Sequence, residues 1–216
     1  MRIAARYNGP PGSGNGGYSA GLLAVTLGLA PAEVTLRRPP PLETDLTLTA
    51  GSCSAGAELI AEAVLTQDQR PDVVRPVPPD EAAEATKRYA GLSGHPFPTC
   101  YVCGVDRTDG LGLRPGPVSG GRTATPWLVP PDVDEVTMWA ALDCPGGWSV
   151  IAEGRPYVLG RLSAWIDAVA EPGSTCVVMG QYLGGEGRKA YALSTVYDEA
   201  GAPLAVARAT WIALSP

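Results

Sequence analysis

Two stretches decide how this chain folds. The first is Gly12-Ser13-Gly14-Asn15-Gly16-Gly17-Tyr18-Ser19-Ala20-Gly21-Leu22-Leu23-Ala24, and the second is Met138-Trp139-Ala140-Ala141-Leu142-Asp143-Cys144-Pro145-Gly146-Gly147-Trp148. In each, an apolar helical run adjoins a Gly-rich turn, and strand-like sequence follows. The pattern predicts two copies of one helix-on-sheet unit, an α+β arrangement.

Around the first stretch, a short strand is expected near residues 3–7 and a helix over 16–29, with Leu22, Leu23, Val25 and Leu27 apolar and no wide polar face. The small residues Gly16, Gly17, Ala20, Gly21 and Ala24 predict close packing against a sheet, because they let backbones approach. Strands are expected over 42–49 and 57–65, the second also compatible with a helix by composition. These make residues 1–67 a first, shortened unit.

Residues 68–98 change character. Pro71, Pro76, Pro78 and Pro79 disfavour a central strand, and a short polar helix is expected over 80–89, so the segment reads as a linker crossing the surface. From residue 99 to 216 a fuller unit is expected, with a strand over 122–128 and a helix over 134–143. Strands over 158–168, 175–183, 189–197 and 204–214 follow, with Gly-containing turns at 184–187 and 198–201.

Composition narrows the function. The chain has 216 residues, 45% of them hydrophobic, enough for a sizeable core. No run of about 18 apolar residues occurs, and Arg2 is not followed by a signal-type apolar block, so a cytoplasmic protein without a membrane partner is expected. With 16 basic against 22 acidic residues, a charge of −6 and only two lysines, Lys87 and Lys189, the chain lacks the clustered cations that phosphate backbones require. Nucleic acid is therefore not an expected partner. Five cysteines in irregular spacing do not form a disulfide framework; Cys53, Cys144 and Cys176 read as small buried hydrophobes.

Gly12 to Gly17 matches the GxGxxG dinucleotide fingerprint in letters. The antiparallel hairpins expected after it do not form the doubly wound parallel sheet that fingerprint serves. What survives is a helix N-terminus whose amides at Gly16, Gly17 and Tyr18 are expected to face a carbonyl oxygen or anion. Cys100-Tyr101-Val102-Cys103, with His95 upstream, has metal-like spacing, but structural zinc takes four ligands and Cys144 would have to come from another element. No metal is expected on this reading. His95, the only histidine, lies between Gly94 and Pro96 and is expected to be solvent-exposed. Asp143 ends an apolar helical run just before Cys144-Pro145. A buried carboxylate is costly unless paired or employed, and Pro145 is expected to break or kink the helix there.

Together these features resemble the hotdog-fold acyl-thioester family, in which an antiparallel sheet wraps a central helix. Cys100-Tyr101-Val102-Cys103-Gly104 followed by Gly110-Leu111-Gly112-Leu113 is similar to the leader of phenylacetate-type thioesterases, with Arg107-Thr108 where Asn-Pro is usual. Leu142-Asp143 with Gly146-Gly147-Trp148 is similar to that group's helix bearing an acidic residue, from which Pro145 departs. Asn15-Gly16-Gly17-Tyr18 with Arg38-Pro39-Pro40-Pro41-Leu42 resembles the first half of double-hotdog acyl-CoA thioesterases.

The resemblance implies a shortened hotdog followed by a complete one, with edge-to-edge sheets and a ligand tunnel between the helices. It implies hydrolysis of an acyl-CoA or acyl-carrier thioester, with Asp143 and Asn15 catalytic and no organic cofactor. Gly16, Gly17, Tyr18, Gly146, Gly147, Trp148, Arg161 and Arg188 are the expected substrate contacts. Homodimerisation is expected of such folds, although an intramolecular pair satisfies the same edges. The alternatives are a noncatalytic acyl-CoA or hydrophobic-ligand binding protein, and a dehydratase or hydratase using His95 as its base.

Overall fold

The structure is a computed structural model and describes residues 1–151 and 155–214. Its backbone is one antiparallel sheet of ten strands. Helix α1 (Gly16–Thr26) is followed by β1 (Ala32–Leu36), β2 (Thr47–Thr49), β3 (Ser52–Ala55) and β4 (Glu58–Leu65). Helix α2 (Pro79–Thr86), β5 (Gly116–Val118) and β6 (Arg122–Leu128) lead to α3 (Glu135–Ala141) and α4 (Cys144–Val150). The chain closes with β7 (Tyr157–Ile166), β8 (Thr175–Glu186), β9 (Lys189–Tyr197) and β10 (Pro203–Ala213).

The spatial order is β2-β3-β4-β1-β7-β10-β9-β8-β6-β5. The four strands of the first unit therefore meet the six of the second at one seam, where Ala32 pairs with Ala164 and Val34 with Leu162. All four of these side chains are buried. One apolar core runs across the seam, because each strand turns alternate residues toward the helices.

The opposite face is covered at the second unit's end. Val177, Met179, Leu193 and Tyr197 point away from α3 and α4 and pack against Val74, Val77, Ala82 and Ala85. The Pro-rich segment is thus held by buried contacts. The Val74 amide donates to Thr195 Oγ1 at 2.9 Å, and the Tyr197 hydroxyl donates to the Val74 carbonyl.

Several expectations need correction. Residues 5–7 form one 3₁₀ turn and no strand. The first helix stops at Thr26, three residues short of the expected end. β1, β3 and β5 were not anticipated. β1 is only five residues long, and Ser52-Cys53-Ser54-Ala55 has little β-propensity, becoming a strand through its pairing with β2 and β4. The small residues of α1 face another helix as well as the sheet. A Cβ on Gly17 would lie 2.5 Å from that of Asp143, and one on Gly21 would lie 2.5 Å from that of Trp139, so α1 crosses α3 at glycine-only spacing.

Candidate active site

Asp143 stands at the break between two helices. Pro145 lacks an amide hydrogen and its ring excludes a continuous helical path, so α3 ends at Ala141 and α4 restarts at Cys144 with the proline in its first turn. Thr123 of β6 fixes the restart by donating to the Pro145 carbonyl at 2.7 Å. The Asp143 side chain is left 2% exposed and pointing at the start of α1.

Asn15 caps α1 and holds Asp143 with the same side chain. Its Oδ1 accepts from the Tyr18 amide at 2.8 Å, and its Nδ2 donates to Asp143 Oδ2 at 2.8 Å. The Gly17 amide donates to that same oxygen at 2.9 Å. Asp143 Oδ1 is buried and has no hydrogen-bond partner among the described residues. Burial pushes the Asp143 carboxyl up to about 7, against the opposing pull of the Gly17 amide and Asn15. A carboxylate with one oxygen fixed, one oxygen unpaired and an affinity for protons near neutrality is equipped as a general base or a nucleophile.

A cavity of about 470 Å³ opens in front of it. Asn15, Gly16, Asp143, Gly147 and Trp148 lie in its wall, with Leu159, Trp211 and Leu214 supplying apolar surface and Arg37, Arg38 and Arg188 the charge. Arg37 is paired with Glu62 and Arg38 with Glu58. Arg188 has no ion-pair partner among the described residues; its Nε donates to the Ala213 carbonyl at 3.1 Å. The Gly16 amide has no acceptor among the described residues either, so one α1 donor remains available to the cavity.

Cys100, Cys103 and Cys144 line the same cavity, and their sulfur atoms lie within 4.8 Å of one another. His95 sits beside them, half-buried against Tyr89 and Trp148 rather than in solvent as the sequence suggested. Its Nδ1 accepts from the Phe97 amide at 2.9 Å, which leaves the neutral ring's proton on Nε2, facing the Cys103 carbonyl at 3.1 Å and the Cys103 sulfur at 3.3 Å. Burial lowers the affinity of His95 for a second proton. With both nitrogens so engaged, His95 offers the cavity no free lone pair, which counts against the dehydratase alternative.

No protein-family model matches the chain, and no curated protein matches it by sequence. Solved structures do. A protein of unknown function with a hot dog fold from Alicyclobacillus acidocaldarius superposes with a TM-score of 0.61 at 13% identity, over 100% of this chain and 92% of its own. The fold is a hotdog. The tesB protein of Mycobacterium avium subspecies paratuberculosis aligns with a TM-score of 0.62 at 11% identity over 100% and 91% of the two chains. A candidate thioesterase from Novosphingobium aromaticivorans aligns at 0.59 and 17% identity over 96% and 91%. At these identities the likeness establishes the fold, and the chemistry has to be argued from the site.

Against the hotdog frame, the expected site residues divide. Asn15, Gly16, Asp143, Gly147, Trp148 and Arg188 meet at one cavity, and Gly17 reaches it through its bond to Asp143. Three expectations are not met. Tyr18 stacks on Tyr7 at 3.8 Å, Gly146 is pressed against Ser194 of β9, and Arg161 is turned to Glu33 and Thr35, so none of these lines the cavity. The three-amide cradle is also reduced, because the Gly17 and Tyr18 amides are already bonded to Asp143 and Asn15. Trp211 was missed as a site residue. Its ring forms part of the wall, and its indole N–H is buried without a partner among the described residues, a property no sequence signal marks.

Proposed function

We propose that this protein hydrolyses an acyl thioester, with the acyl group in the apolar cavity and the thiol carrier leaving past Arg188. One observation carries the reading. Two hydrogen bonds fix Asp143 Oδ2, while Oδ1 has no partner among the described residues, and the carboxylate stands in the cavity wall beside the Gly16 amide. The hotdog fold and its neighbours named as thioesterases agree with it.

The chemistry follows from that arrangement. The Gly16 amide at the start of α1 polarises the thioester carbonyl and stabilises the oxyanion that develops on it. Asp143 Oδ1 takes a proton from water as its oxygen attacks the carbonyl carbon. The tetrahedral intermediate collapses with cleavage of the carbon–sulfur bond. The departing thiolate recovers the proton from Asp143, releasing a carboxylic acid and a free thiol. Arg188 contacts the anionic phosphates of a coenzyme A carrier.

The test is free-thiol release from short, aromatic and long acyl-CoA esters, comparing wild type with Asp143→Asn. Turnover that collapses in a folded variant is the expected result. Ester binding without turnover in the wild type would replace hydrolysis with a ligand-binding role, and undiminished turnover in the variant would remove Asp143 from the reaction.

A further inference from the structure

We propose that Cys100, Cys103 and Cys144 form a soft-metal site that takes one zinc ion per chain through three thiolates. The sequence alone supplied a CxxC pair with His95 upstream, and left Cys144 to be brought in from another element. The fold brings Cys144, 44 positions along the chain from Cys100, to a sulfur–sulfur distance of 3.9 Å. Three thiolates about 2.3 Å from one zinc ion stand roughly 3.8 to 4.0 Å apart, the separation already present for this pair. All three sulfurs are mutually within 4.8 Å, so side-chain rotation suffices to close the set.

Polar N–H groups face two of the three sulfurs. The Gly104 amide donates to the Cys100 carbonyl at 2.9 Å, closing Cys100 to Gly104 into a knuckle that carries both cysteines of the pair. Asn15 Nδ2 lies 3.8 Å from the Cys100 sulfur, and the Nε2–H of His95 faces Cys103 Sγ at 3.3 Å. These N–H groups stabilise negative sulfur, and neither has to be displaced for a cation to enter. His95 itself is not counted as a ligand, since its Nδ1 is occupied by the Phe97 amide and the ring proton is on Nε2. The three cysteines, though buried, line the same cavity as Asp143, and water from it fills the fourth coordination position.

Binding releases the protons of the three thiols, one for each sulfur–zinc bond formed, with no change of oxidation state. The ion joins the knuckle to the first residue of α4, fixing the helix break from which Asp143 projects. The inference does not depend on thioester hydrolysis and is tested without a thioester.

Reduced, chelator-treated full-length protein is titrated with Co²⁺ and then Zn²⁺. The expected result is one cobalt ion per chain with thiolate-to-cobalt charge-transfer absorption, abolished as zinc displaces it, and a higher melting temperature for the zinc form. Loss of one group that hydrogen-bonds a ligand weakens metal sites by about 10 to 100-fold, so Cys144→Ser, which removes a ligand itself, is expected to weaken binding by at least about tenfold. Cys176→Ser, on β8 outside the cluster, is expected to bind as wild type does. Folded, reduced wild type that shows no charge-transfer absorption at saturating cobalt overturns the proposal, as does an unchanged spectrum in Cys144→Ser. The wild-type titration stands alone if the serine variant does not fold.

Discussion

Among the described residues Asp143 is fixed by two donors, Asn15 and the Gly17 amide, and both come from a stretch of chain more than a hundred residues away. Replacing it with Asn removes the proton acceptor and leaves the shape, so kcat for thioester hydrolysis is expected to fall by about 10² to 10⁴. Chemical denaturation should show no loss of stability, because a neutral amide costs less to bury than a charge. Asn15→Asp separates the two duties of that side chain. The carboxylate still accepts from the Tyr18 amide, but it faces Asp143 with no hydrogen to donate. The variant is expected to lose about 1.5 to 3 kcal/mol in urea unfolding, the worth of a hydrogen bond to a charged group, together with turnover. Arg188→Ala should raise KM for coenzyme A esters about fivefold, equivalent to roughly 1 kcal/mol, with kcat unchanged. Esters of pantetheine without the nucleotide should show no such rise.

The element that sets the site is the crossing of α1 over α3. Gly17 and Gly21 face the other helix one turn apart, with Asp143 and Trp139 opposite them, and any Cβ at either position forces the helices apart. Gly17→Ala and Gly21→Ala are each expected to cost about 1 to 3 kcal/mol in urea unfolding, the usual penalty of overpacking. Their effects on catalysis should differ. Gly17→Ala presses on Asp143 itself and should abolish turnover, whereas Gly21→Ala presses on Trp139 and should retain most of it. Equal loss in both would mean that the crossing angle, rather than contact with Asp143, controls the reaction.

The whole molecule is held together by a sheet that passes from β4 and β1 into β7 and β10 without interruption, over one shared core. It is therefore expected to unfold in a single transition seen alike by far-UV circular dichroism and tryptophan fluorescence, and Leu162→Ala at the seam should lower its stability by about 2 to 5 kcal/mol. Two separated transitions would mean that the halves fold apart. Much of this architecture was legible in the chain. Apolar runs over 158–166 and 189–197, bounded by Gly-containing turns, mark strands, Pro145 marks a helix break, and Gly17 and Gly21 mark a close approach, because each is a local consequence of backbone and side-chain shape. β3 was not legible, since Ser52 to Ala55 forms a strand only through its neighbours on both sides. The sequence by itself determined the long strands of the second half, the helix break at Pro145 and Asp143 as the carboxylate needing an explanation. Tertiary structure alone decided that Asn15 and Gly17 hold that carboxylate, that Arg161 and Tyr18 turn away, and that Cys144 joins Cys100 and Cys103. Those meetings depend on how far apart two segments lie once the sheet has closed, and local residue patterns carry no record of that distance.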